Sequence, residues 1–265
     1  MKAIAILLTL VAASLAFGQD WAKKRLADSP RHQEWVELKN GSRVVKAFVV
    51  YPEVKGKAPV VVVIHEIMGL TDWAMSVCDR LAENGYIAIA PDFVSGLGPK
   101  GGRTPDFEDV GKVREAISGL PPAQVTGDLD AACDYAKKIP SSNGKVSVAG
   151  FCWGGTQTFR FATHRQDLSG AYVFYGSGPT ESAEIAKIKS PVYGFYGGND
   201  NRINATIPES EKLMKDAKKT FDPVIYDGAG HGFMRAGEQP DATPANKKAH
   251  DEGWKRWLGL LSKSK

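Results

Sequence analysis

The chain has 265 residues, 43% hydrophobic and 24% charged, which is enough to bury one sizeable core and too apolar for a disordered protein. Its 34 basic and 30 acidic side chains leave a net charge of +4, spread too evenly to build a phosphate-binding face, so nucleic acid is not an expected partner. Three cysteines, Cys78, Cys133 and Cys152, are too few for a disulfide framework, and their odd number leaves at least one thiol free.

The first residues differ in kind from the rest. Lys2 supplies a positive start, Ile4 to Phe17 form a nearly uncharged apolar run, and Ala16 and Gly18 stand three and one positions before a cut ahead of Gln19. The run is too short to span a bilayer, and the polar stretch Gln19 to Arg31 follows at once, so residues 1–18 read as a cleavable export signal. The expected destination is the periplasm or the medium. Nothing further along is a candidate membrane span. An oxidising compartment permits Cys78 and Cys133 to pair, but two separate buried thiols is the preferred reading.

From residue 19 to 265 there is no repeat, low-complexity tract or long linker, and a single domain is expected. Glu34 to Leu38 and Val44 to Tyr51 read as strands joined at Asn40-Gly41, a pair that tolerates positive φ and so marks a hairpin. Val60 to Ile64 is a β-branched run of the kind buried on both faces, followed by a helix from Trp73 to Leu81 that stops at Gly85. The alternation continues: strand Tyr86 to Ala90, helix Asp128 to Lys138, strand Lys145 to Ala149, helix Thr156 to Thr163. Strands at Ala171 to Tyr175, Pro191 to Tyr196 and Pro223 to Tyr226 complete it, with helices near Glu209 to Lys218 and Ala245 to Leu261. The segment Gly101 to Gly119 reads as loop-rich. Such alternation predicts an α/β fold, a mostly parallel sheet with helices on both faces and an antiparallel hairpin at its start. Functional groups in these sheets gather at the carboxyl ends of strands.

Gly150-Phe151-Cys152-Trp153-Gly154-Gly155 lies at such an end, between a strand and a helix. A lone cysteine is more often a small buried hydrophobe. Here, however, glycines flank it in a turn sharp enough to thrust one side chain outward, and the helix N-terminus favours charge on the sulfur. His231, in Gly228-Ala229-Gly230-His231-Gly232-Phe233 after the last strand, is the candidate base. Asp200, in Gly197-Gly198-Asn199-Asp200, is the carboxylate that would fix its tautomer, although in isolation it reads as a turn former. The order Cys152, Asp200, His231 is that of nucleophile, acid and histidine in an α/β-hydrolase sheet. Glu66 follows the strand expected beside the Cys152 turn, and the backbone N–H groups of Ile67 and Trp153 are the expected oxyanion donors. A zinc site at His65-Glu66 is not expected, because no further ligands are spaced to complete it.

Together these residues resemble the dienelactone hydrolase, or carboxymethylenebutenolidase, family of α/β-hydrolases from about Arg43 to Trp257. The resemblance rests on His65-Glu66-Ile67-Met68-Gly69, Ala90-Pro91-Asp92, Gly127-Asp128-Leu129, Ser142-Asn143-Gly144-Lys145-Val146, the Cys152 turn, Asp200, and His231-Gly232-Phe233-Met234-Arg235. It implies a Cys152-Asp200-His231 triad and a glutamate, Glu66, that turns to the thiol when substrate binds. It also implies an arginine, Arg235, that pairs with that glutamate and with a substrate carboxylate. The family's second carboxylate-binding arginine falls at Val110 here, a departure that Arg103, Lys112 or Arg114 could offset.

The expected activity is hydrolysis of a lactone or small carboxylic ester through a thioester, with no cofactor and no metal. The alternatives are a broader carboxylesterase or thioesterase of the same fold, and a binding or redox-sensing protein that has lost turnover. Oligomeric state is not legible.

Overall fold

A computed structural model describes residues 19–263; the export signal expected at residues 1–18 lies outside them. The chain opens with α1 (Asp20–Asp28), then the hairpin β1 (Gln33–Asn40) and β2 (Arg43–Val50), whose turn carries Gly41 at a φ of 58°. Next come β3 (Ala58–Ile64), α2 (Asp72–Glu83), β4 (Ile87–Pro91), α3 (Val110–Ser118), α4 (Pro122–Lys138), β5 (Ser142–Phe151) and α5 (Trp153–His164). The chain then runs through β6 (Ala171–Phe174), α6 (Ser182–Ile185), β7 (Val192–Gly197), α7 (Asn201–Asn204) and α8 (Ile207–Asp216). It ends with β8 (Phe221–Tyr226), α9 (Phe233–Ala236) and α10 (Pro244–Ser262). All eight strands join one sheet in the order β1-β2-β4-β3-β5-β6-β7-β8. Only the β1–β2 and β2–β4 pairings are antiparallel, as the hairpin and the alternation lead one to expect.

The β-branched run in β3 divides its side chains between two cores. Val61 and Val63 face α1, α2 and α10, while Val60, Val62 and Ile64 face α4, α5 and α8. Each such valine is fully buried, worth about 1.5–3 kcal/mol of transfer free energy. The sheet thereby separates Cys78, in the first core, from Cys133, in the second, and both thiols are free. Burial raises both thiols, Cys133 to about 12, so neither is a ready nucleophile. Among the described residues no helix is long and apolar enough to cross a membrane.

Two helices stand where the sequence reads as polar or loop-rich. In α1, Ala22 is buried against the α2–α10 layer, and the Gln19 side-chain oxygen accepts the Trp73 N–H at 2.8 Å, capping α2. Arg25 reaches Glu83 at 2.7 Å, and Arg31 reaches the fully buried Asp79 at 2.7 Å. In α3, Asp109 caps the first turn by accepting the Lys112 N–H at 3.0 Å. Val113 and Ile117, one turn apart, press on Ile67 and Trp153 and so roof one side of the strand ends.

Candidate active site

Cys152 sits between β5 and α5 at φ 57° and ψ −115°, a left-handed position that a side-chain-bearing residue rarely adopts. The turn is held from both sides: the Cys152 N–H donates to the Phe174 carbonyl at 3.0 Å and its own carbonyl accepts the Thr156 N–H at 3.1 Å. Gly154 is required because a Cβ there would stand 2.3 Å from the Ile64 carbonyl oxygen and 2.5 Å from that of His65. That close approach puts the start of α5 against the end of β3, and so Trp153 beside the Glu66–Ile67 turn. Neither the Ile67 N–H nor the Trp153 N–H has a partner among the described residues, as suits a pair of oxyanion donors.

The turn carrying Glu66 is fixed from behind by His65. Its Nε2 accepts the Phe93 N–H, so its Nδ1–H donates to the Glu66 carbonyl at 2.7 Å. Complete burial lowers its pKa and keeps it neutral, and its ring stacks on Trp153 at 5.6 Å. His65 therefore braces both the Glu66–Ile67 turn and Trp153. Among the described residues no cluster of three potential metal ligands occurs.

Asp200 and His231 arrive from neighbouring strand ends. Asp200 follows β7 and divides its carboxylate: one oxygen accepts the Ile203 N–H at 3.4 Å and caps α7, the other accepts the His231 Nδ1–H at 2.5 Å. The loop carrying His231 is tied to β7 through the Asn199 N–H on the Ala229 carbonyl, and to α10 through the Gly230 N–H on Asn246, each at 2.9 Å. Gly232, at φ 75°, then reverses the chain into α9. Hydrogen bonding to Cys152 is the largest influence on His231; together with Asp200 it outweighs partial burial and raises the imidazole to about 9. Cys152 and Asp200 thus both act on His231, with the sulfur half-buried and the imidazole a third exposed.

Glu66 is almost wholly buried and is engaged elsewhere: Arg235 on α9 donates from Nε to its carboxylate at 2.8 Å. The two expected partners are paired, but the carboxylate is turned to the guanidinium rather than to the thiol.

Residues 45–264 match the dienelactone hydrolase family. The chain belongs to that family. A Methylorubrum extorquens protein named "Putative carboxymethylenebutenolidase" is 35% identical over 226 residues, covering 80% of this chain and 75% of the relative. One of the same name from Escherichia coli K12 is 31% identical over 214 residues, covering 77% and 76%. A crystal structure titled "Putative Dienelactone Hydrolase", from Klebsiella pneumoniae, superposes with a TM-score of 0.76 at 26% identity, covering 88% of this chain and 98% of that one. This dienelactone hydrolase family member is accordingly a hydrolase with the α/β-hydrolase fold.

Among the described residues, none of the three cations that could offset Val110 pairs with Glu66 alongside Arg235. Arg103 lies 3.8 Å over the Trp35 ring on the hairpin, and Arg114 and Lys112 are exposed on α3, Lys112 facing Glu115. Val110 opens α3, and the side of the site below it is apolar, built from Val113, Ile117, Ile67 and Trp153. One residue of the site has no counterpart in the sequence reading. Tyr175, which reads as the last residue of an apolar strand, packs its ring edge-on against His231 at 5.0 Å. A tyrosine in a run of Ala, Tyr, Val and Phe carries no signal that separates it from core.

Proposed function

We propose that the chain opens a lactone or small carboxylic ester through a thioester on Cys152. The observation that carries this reading is a half-buried thiol at positive φ on a strand-to-helix turn, which raises the pKa of an imidazole that Asp200 orients.

A substrate carboxylate arriving at Arg235 competes with Glu66 for the guanidinium and frees it. Glu66 then takes the thiol proton, and the sulfur attacks the carbonyl carbon. The developing oxyanion is received by the N–H groups of Ile67 and Trp153. When the C–O bond breaks, the leaving oxygen takes the proton back from Glu66, and the acyl group remains on sulfur. Deacylation falls to His231. Its pKa of about 9 is raised first by hydrogen bonding to Cys152, and that support ends once the sulfur carries the acyl group. The imidazole then relaxes toward its ordinary value and can accept a proton from water at neutral pH. Hydroxide so generated attacks the thioester, the C–S bond breaks, and the departing sulfur takes the proton from His231, restoring the thiol and the neutral imidazole.

The test is turnover of unsaturated lactones and activated aryl esters, each with and without a free carboxylate, by wild type, Cys152→Ala and Arg235→Met. Loss of turnover in Cys152→Ala, with carboxylate-bearing substrates preferred by wild type but not by Arg235→Met, is the expected result. The apolar wall beneath α3 favours a broader carboxylesterase as the second reading, which indifference to the carboxylate would establish. Absence of turnover by reduced, folded wild type would sink both.

A further inference from the structure

Tyr175 has no part in the steps above, yet it is held in the middle of the groups that perform them. It follows β6 at φ 41°, in the left-handed region, and its N–H donates to the Phe195 carbonyl at 2.8 Å. The preceding carbonyl, Phe174, is the one that receives the Cys152 N–H, and a Cβ on the following Gly176 would lie 2.3 Å from the Gly155 carbonyl carbon. Segment 174–176 is therefore locked to the Cys152 turn. The Tyr175 ring packs edge-on against both His231 and Phe233, the latter at 5.5 Å. These two flank Gly232, whose Cβ position is 3.7 Å from a Glu66 carboxylate oxygen.

The hydroxyl at the end of this ring is buried and makes no hydrogen bond among the described residues. Burial, then the charge of Glu66, raises the phenol well above its usual range; Cys152 and Glu238 act in the same direction and Arg235 against it. At neutral pH it is therefore a donor. Glu66, for its part, cannot leave Arg235 without cost: it is almost wholly buried, and an ionised carboxylate there needs a replacement donor.

We infer that Tyr175 is a positioning residue, whose hydroxyl donates to the Glu66 carboxylate once Arg235 is taken by substrate and so holds it at the Cys152 sulfur. The inference rests on the reading in which Glu66 activates the thiol. It accounts for a tyrosine rather than a phenylalanine on a fully buried ring, and for the constrained backbone that aims it.

The experiment is a double-mutant cycle on kcat with Tyr175→Phe, Glu66→Gln and the pair, on the best carboxylate-bearing substrate. Tyr175→Phe keeps the ring contacts and is expected to lower kcat about 10- to 100-fold, the range for a hydrogen bond to a charged group, with little change in KM. In the Glu66→Gln background it should cost nothing further. The acid limb of kcat, which reports the substrate-bound enzyme, should also move to higher pH in Tyr175→Phe, because the carboxylate has lost a donor; a packing defect would not move it. Phe233→Leu serves as the packing control and should leave that limb in place. Unchanged kcat in Tyr175→Phe, or losses from the two substitutions that simply multiply, would overturn the inference. If instead Glu66→Gln alone retains full activity, the role of Glu66 itself fails, which is a separate outcome. Should Tyr175→Phe not fold, replacing all tyrosines with 3-fluorotyrosine alters the phenol's acidity without removing it. The acid limb should then shift in wild type and not in Glu66→Gln, and an equal shift in both backgrounds would overturn the inference.

Discussion

His231 is the residue whose protonation ties the site together, and its behaviour can be read directly. Labelled-imidazole NMR should find it titrating near 9, and the midpoint should fall toward 6.5 in Cys152→Ala, since hydrogen bonding to that side chain is the largest influence on it. The folded pKa lies above the unfolded one, so the bound proton adds stability in full below about 6.5, and that contribution is lost as pH rises through about 9. Asp200→Asn removes the carboxylate that accepts the Nδ1–H and should cost ~10³-fold or more in kcat with the fold intact, as measured by steady-state kinetics alongside circular dichroism. These three residues were legible in the sequence because the turns that carry them need glycine, and glycine is conspicuous. Arg103 and Arg114 were not assignable by inspection: an arginine in an irregular segment carries no sign of what its guanidinium meets, and Arg103 meets Trp35.

Elements differed in legibility for a physical reason. A strand buried on both faces, such as β3, announces itself through an unbroken β-branched run, and its observed bounds lie within a few residues of the expected ones. Helix α3 was obscured by Gly111 and the glycines and proline before it, although Asp109 as a cap and Val113 and Ile117 at helical spacing were present. Helix α1 buries mainly Ala22 and is otherwise held by ion pairs and the Gln19 cap, so it has little apolar face to detect. The α5 start is the most sensitive junction. Gly154→Ala would force a methyl into the Ile64 and His65 carbonyls and should cost about 1–3 kcal/mol in urea unfolding. It should lower kcat as well, because the Trp153 N–H moves with it.

For the molecule as a whole, the sheet decides the chemistry of the thiols. With Cys78 and Cys133 buried in different cores, a thiol reagent such as DTNB should count one reactive cysteine in the native chain and three after unfolding, with no change on prior reduction. A count of one in the unfolded, unreduced chain would mean a disulfide and contradict the packing.

The Glu66–Arg235 ion pair joins positions 169 residues apart in the chain. In the sheet β5, β6 and β7 stand between β3, which Glu66 follows, and β8, which precedes Arg235, so no sheet lacking one of these strands brings the two together. Turnover is thus an all-or-none gauge of the finished chain. A single proteolytic nick anywhere between these partners would leave activity only for as long as both fragments stayed clasped, and substrate loss would report their separation before any change in secondary structure did.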